Sequence, residues 1–84
     1  MEYPDAREFV QAYIAKKKGP VLATVVKYAL TSRLRTDNPI ESLKFAEIET
    51  ATHIRKMLAE GEISSTQQNK RLVYTLPTER LLCP

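Results

Sequence analysis

The stretch IETATHIRKMLAEGEISSTQQNKRLVYTL, Ile48 to Leu76, decides how the rest of the chain is read. Its first half has apolar residues at helical spacing, Ile54, Met57 and Leu58, and stops at Gly61. Glycine after the last periodic residue supplies the left-handed conformation that closes a helix. After Gly61 the period changes. Ile63 is followed by a polar run, Ser64 to Lys70, and then Leu72, Tyr74 and Leu76 alternate with Val73 and Thr75. Alternation among β-branched and aromatic residues, bounded by Asn69 and Pro77, predicts a strand. Ile63–Thr66 pairing with Arg71–Leu76 across Gln67–Lys70 makes a hairpin, which Pro77 ends because it has no N–H to donate.

Two helices are expected in front of this unit. Asp5-Ala6-Arg7-Glu8 has the form of a capping box. Phe9, Val10, Tyr13 and Ile14 follow at spacings of three and four, and Lys16, Lys17 and Lys18 fall at the carbonyl end, which favours positive charge. This predicts a helix over 5–18, ended by Gly19-Pro20. From Pro20, Val21, Leu22, Val25, Val26, Ala29 and Leu30 continue a helical stripe ending between Leu30 and Leu34. Val21, Thr24, Val25 and Val26 are β-branched, so a buried strand is the competing reading. Arg35 to Pro39 is read as a loop, with Asn38 as N-cap, Pro39 at the first helical position and Glu41 three residues after the cap. A helix running unbroken from there to Glu60 is long for so small a domain, so a break near Ser42–Phe45, giving a short helix followed by a longer one, is expected.

Composition narrows the function classes. The chain has 84 residues, enough for one domain with a modest core. Residues 1–77 are taken as that domain and 78–84 as a C-terminal tail, in which Leu81 and Leu82 could cover the core or meet another subunit. With Gly19 and Gly61 as the two glycines, no Gly-rich phosphate loop can be written. Cys83 cannot form an intrachain disulfide, and with His53 it makes no zinc site. No cofactor or metal is expected. The apolar runs are short and the N-terminus lacks a signal pattern, which predicts a cytoplasmic protein.

The formal charge is +3 and unevenly placed. Residues 1–35 carry seven Lys and Arg against three acids, residues 36–62 three against six, and residues 63–84 three against one. The ends are basic and the middle is acidic. His53 has no Ser or Cys partner beside it, so it is read as a surface or capping group. The Lys16–Lys18 run reads as a solvated helix end. A chain of this size built on a helix and a hairpin is expected to bind, and not to be an enzyme.

The order of elements, with Thr50 to Ile63 followed by Arg71 to Leu76, resembles a winged helix-turn-helix domain. Ile54 and Met57 stand seven and four positions before Gly61, Ile63 is the aliphatic residue after it, and Tyr74 is the aromatic one in the last strand. The resemblance covers the second half of the chain well and the first half by helix count. It implies an α+β fold, mainly α, with a three-helix core followed by a β-wing. It also implies a DNA-binding transcriptional regulator, of the small viral, phage or plasmid kind. The helix around 47–60 would enter the major groove, offering Thr52, His53, Arg55 and Lys56. The 64–71 hairpin tip would be the wing, with Lys70 and Arg71 on phosphate or minor groove. Double-stranded DNA is the expected partner, and domains of this kind often form homodimers because one module buries little surface. Glu47, Glu49, Glu60 and Glu62 oppose this, since phosphates repel them unless they lie away from the DNA. A protein-interaction adaptor on the same scaffold is the alternative.

Overall fold

A computed structural model describes residues 2–77, and the tail with Leu81, Leu82 and Cys83 lies outside the described residues. Three helices and a three-stranded antiparallel sheet make a mainly helical α+β fold. In chain order they are α1 (Tyr3–Lys17), β1 (Val21–Leu22), α2 (Ala23–Asp37), α3 (Leu43–Ala59), β2 (Ser64–Gln68) and β3 (Arg71–Thr75).

Helix α1 buries Ala6, Val10 and Ile14, four residues apart, with Phe9 and Tyr13 packed beside them. It starts two residues earlier than its capping-box pattern suggests. Glu2 holds the N-cap position without a side-chain bond, and its carbonyl accepts from Ala6 N–H at 3.0 Å. Pro4 is tolerated because the first-turn N–H groups have no helical acceptor. Asp5 therefore lies in the first turn, where its charge complements the helix dipole, and does not cap it. At the other end Lys18, not Gly19, takes the left-handed conformation (φ 58°).

The second helix differs at both ends from its sequence reading. Val21 and Leu22 form β1, the competing reading, because they pair with Tyr74 and Val73 of the last strand. That pairing buries Val21 against the core. It turns the expected two-stranded hairpin into a sheet of order β1-β3-β2. Helix α2 then runs through Asp37, past the loop expected at Arg35. Its last turn is held locally: Thr36 Oγ1 donates to Ser32 O at 2.9 Å, and Arg33 pairs with Asp37 at 3.3 Å. Asn38 does not begin a helix. Its N–H donates to Leu34 O, so it ends α2 instead. Helix α3 begins at the expected break, with Ser42 Oγ accepting from Phe45 N–H at 3.2 Å, but the short helix expected before it is a turn, in which Glu41 N–H donates to Asn38 O at 3.0 Å.

Gly61 behaves as its place in the sequence suggests. It has φ 73°, its N–H donates to Leu58 O, and Glu62 N–H donates to Met57 O at 2.9 Å. These two bonds are the Schellman pattern, which satisfies the last carbonyls of α3 and sends the chain into the sheet. Ile63 then drops into the core.

The hairpin is longer and tighter than expected. Gln68 pairs with Arg71, so the loop is Asn69 and Lys70 alone, at φ 52° and 64°. Two successive positive φ values define a type I′ turn, whose twist matches that of the flanking strands. Along β3, Tyr74 joins the core cluster that links all three helices, while Arg71 and Leu72 stay exposed. Strand β2 is exposed throughout.

Candidate nucleic-acid interface on helix α3

Helix α3 sorts its side chains into stripes, because residues three and four apart share a face. Ala46, Thr50, Ile54 and Met57 are buried. Thr50 would be a poor core residue alone, but its hydroxyl lies 2.8 Å from that of Thr31 on α2, so both polar groups are satisfied. The pair ties α3 to α2.

A second stripe, Glu49, His53, Lys56 and Glu60, faces α1. His53 Nε2 lies 3.3 Å from Glu49 Oε2, and the His53 ring is 6.2 Å from that of Tyr3. The Tyr3 hydroxyl donates to Glu60 Oε2 at 3.1 Å. Lys56 Nζ stands 4.5 Å from the Tyr3 ring centre, within cation–π range. Just beyond the helix, Gln11 Nε2 donates to Glu62 at its carbonyl (2.9 Å) and its carboxylate (3.1 Å). Arg7 adds a longer contact to the same carboxylate, at 3.8 Å. Burial and the Glu60 carboxylate raise the Tyr3 phenol above its ordinary pKa.

The third stripe faces outward. Phe45, Ile48, Thr52 and Arg55 recur at three and four residues, with Lys44 and Ala51 beside them, and all are exposed. Phe45 is 61% exposed and Ile48 56%. Thr52 Oγ1 donates to Ile48 O at 2.9 Å, so its hydroxyl proton is used inside the helix. Two carboxylates flank this stripe: Glu47, four residues before Ala51, lies with it at the α2–α3 groove, and Glu49, four residues after Phe45, is turned to His53.

Of the six residues singled out in the sequence, Thr52 and Arg55 share the outward stripe. His53 and Lys56 are drawn to the α1 side. Lys70 occupies the hairpin turn, and Arg71 opens β3 in a hollow with Leu22, Ala23, Thr24, Lys27 and Leu72. Thr24 and Lys27 also line a groove of about 740 Å³ between α2 and α3. Tyr28, Arg35, Leu43 and Glu47 line that groove too. A cationic rim of Arg71, Lys27 and Arg35 thus runs along α2, with Glu47 as the acid in the groove.

Lys27, Arg35, Lys44, Phe45 and Ile48 are exposed near these positions and were not singled out in the sequence. The outward set on α3 was legible in principle, since 45, 48, 52 and 55 keep helical spacing apart from the acidic set 49, 53, 56 and 60. Lys27 and Arg35 gave no such signal. Lys27 comes beside Arg71 because β1 brings the start of α2 to β3, and Arg35, in the last turn of α2, is placed by the packing of α2 on α3.

Among the described residues there is no cluster of three or more His, Cys, Asp or Glu able to hold a metal. No helix of the described residues is long and apolar enough to cross a membrane. Compared with known proteins, the chain matches no family model, no curated protein and no solved structure. Function has to be read from the chemistry of this surface.

Proposed function

We propose that the chain is a non-enzymatic DNA-binding module of winged-helix type, acting as a transcriptional regulator. Helix α3 presents its outward stripe to the major groove, and the β2–β3 hairpin serves as the wing. The observation that carries this reading is the segregation of charge on α3. The carboxylates of Glu49 and Glu60 lie on the α1 side, hydrogen-bonded within the fold, and the outward stripe keeps Arg55 with Lys44 beside it. The sequence-level objection, that four acids near α3 would repel phosphate, is thereby reduced to Glu47. That residue shares its groove with Lys27 and Arg35.

Two further features support the reading. The type I′ turn projects Lys70 at the hairpin tip, where a cation can reach a phosphate. The third strand packs the hairpin against the start of α2, a firmer base than a free hairpin has in water.

The test is a titration with mixed-sequence duplex DNA at two salt concentrations, read by fluorescence anisotropy. Affinity falling with salt, and a shallower slope for the Lys70→Ala/Arg71→Ala variant, is the expected result. No binding at low salt overturns the proposal.

A second reading, a protein-interaction adaptor, is favoured by the α2–α3 groove. Tyr28 is 76% exposed and Leu43 50% exposed along it. Under that reading the outward stripe of α3 is a solvated surface, and Tyr28→Ala alters partner binding with no salt-dependent DNA binding to lose.

A further inference from the structure

We infer that the outward stripe of α3 recognises the C5-methyl groups of thymine, so that the preferred ligand is an A·T-containing duplex read by apolar contact. This rests on the DNA-binding reading and names what that reading leaves open, the kind of base edge the helix prefers.

The chemistry begins with what α3 can offer. Adenine is read bidentately by Asn or Gln, and guanine by Arg or Lys. The sequence of α3 from Leu43 to Ala59 contains neither Asn nor Gln. Its outward stripe instead presents Phe45 and Ile48, both more than half exposed, with Ala51 beside them. Thr52 has committed its hydroxyl proton to Ile48 O, so its γ-methyl is what it adds to an apolar contact. Ile48 is adjacent on the helix surface to Phe45, Ala51 and Thr52, because each lies three or four residues from it. They form one continuous apolar strip.

Single exposed apolar side chains need no explanation. A strip of them between two cations does. Lys44 lies one turn before Ile48 and Arg55 one turn after Ala51 and Thr52, so a ligand covering the strip meets a cation toward each end, while the flanking Glu49 carboxylate is turned to His53 and Glu47 lies at the α2–α3 groove. That arrangement suits a polyanion with apolar groups on its readable edge. In the major groove the thymine methyl is the apolar group each A·T pair displays. Arg55 remains available for a guanine or a phosphate next to the A·T run.

The experiment compares two duplexes of one A·T-rich sequence, the first with thymine and the second with deoxyuridine, which lacks the methyl group. Burying one methyl changes affinity about fourfold, so the thymine duplex should bind about fourfold more tightly for each methyl contacted. Both duplexes should give the same salt slope, since their phosphates are identical. A G·C-rich duplex should gain affinity when its cytosines are replaced by 5-methylcytosine. The Phe45→Ala/Ile48→Ala variant changes two exposed residues and should fold normally by circular dichroism, yet bind thymine and uracil duplexes equally.

Salt-dependent binding with equal affinity for thymine and uracil overturns the methyl inference and leaves the DNA reading standing. No duplex binding at low salt overturns both. A wild-type dimer in sedimentation that dissociates in the Phe45→Ala/Ile48→Ala variant assigns the strip to a second copy of the chain and overturns the inference as well.

Discussion

The hydroxyls of Thr31 and Thr50 meet 2.8 Å apart in the buried seam between α2 and α3. Each is satisfied by the other, and both line the floor of the groove between the helices. Replacing one by valine strands the other hydroxyl away from water, at a cost of about 1–3 kcal/mol. Replacing both leaves two apolar groups of similar shape and should cost much less. A double-mutant cycle in urea, with Thr31→Val, Thr50→Val and the pair, reads this as strong coupling. Additive losses mean that the contact contributes nothing specific.

Gly61 has open space around the position of a Cβ, so a substitution there meets no clash. The effect is purely conformational. At φ 73° an L-residue is strained, and Gly61→Ala should destabilise the fold by about 1–2 kcal/mol. Thermal unfolding checks this. An unchanged Tm would mean that the helix end does not need its left-handed cap.

Lys70 separates stability from binding. At φ 64°, in the second loop position of a type I′ turn, it stands where glycine is favoured. Lys70→Gly should raise stability by about 1 kcal/mol while weakening DNA binding across all sequences and lowering the salt slope by about 1. A variant both more stable and equally tight would remove Lys70 from the interface.

Neighbours in the sequence should behave differently on α3. Arg55→Ala should weaken duplex binding by about 1 kcal/mol or more. His53→Ala should leave it nearly unchanged, because His53 faces Glu49 and Tyr3. Lys27→Ala should lower the salt slope as Arg71→Ala does, since the two share one hollow. A loss on His53→Ala equal to that on Arg55→Ala would mean that the α1 side of the helix also faces the ligand.

Tyr74 sets an alkaline limit. Burial in the core raises its phenol above the ordinary value near about 10, because the phenolate is costly there. Its folded pKa exceeds its unfolded one, so its contribution is complete below about pH 10 and is lost as pH rises through the folded value. Wild-type stability should fall above about pH 10, and Tyr74→Phe should flatten that fall. Denaturant midpoints from pH 8 upward measure it.

Much of the architecture is written in local signals. The α+β class, the end of α3 at Gly61, the hairpin and the buried pairs Val10–Ile14 and Ile54–Met57 all follow from periodicity and turn chemistry. These depend on interactions within a few residues, and such interactions are the same before and after folding. The strand at Val21–Leu22 is different. β-Branched Val21 and helix-favouring Leu22 fit either reading, and pairing with β3, some fifty positions later, decides between them. The N-terminal cap shows the converse, since a satisfactory capping pattern at Asp5 lost to a helix that starts earlier.

The helix that ends at Gly61 and feeds a hairpin is therefore determined by the sequence itself, since its periodicity, its glycine and its turn residues act at short range. What that helix shows to a ligand is decided by tertiary structure. Glu49 and Glu60 count as charges on α3 when read along the chain; in the fold Glu49 meets His53 one turn on, whose ring lies against Tyr3 of α1, and Glu60 accepts from the Tyr3 hydroxyl across the α1–α3 seam. The sheet likewise needs β1 to bring Lys27 beside Arg71. Charge along a chain is a sum, whereas charge on a face depends on which helices pack and on which side chains meet between them.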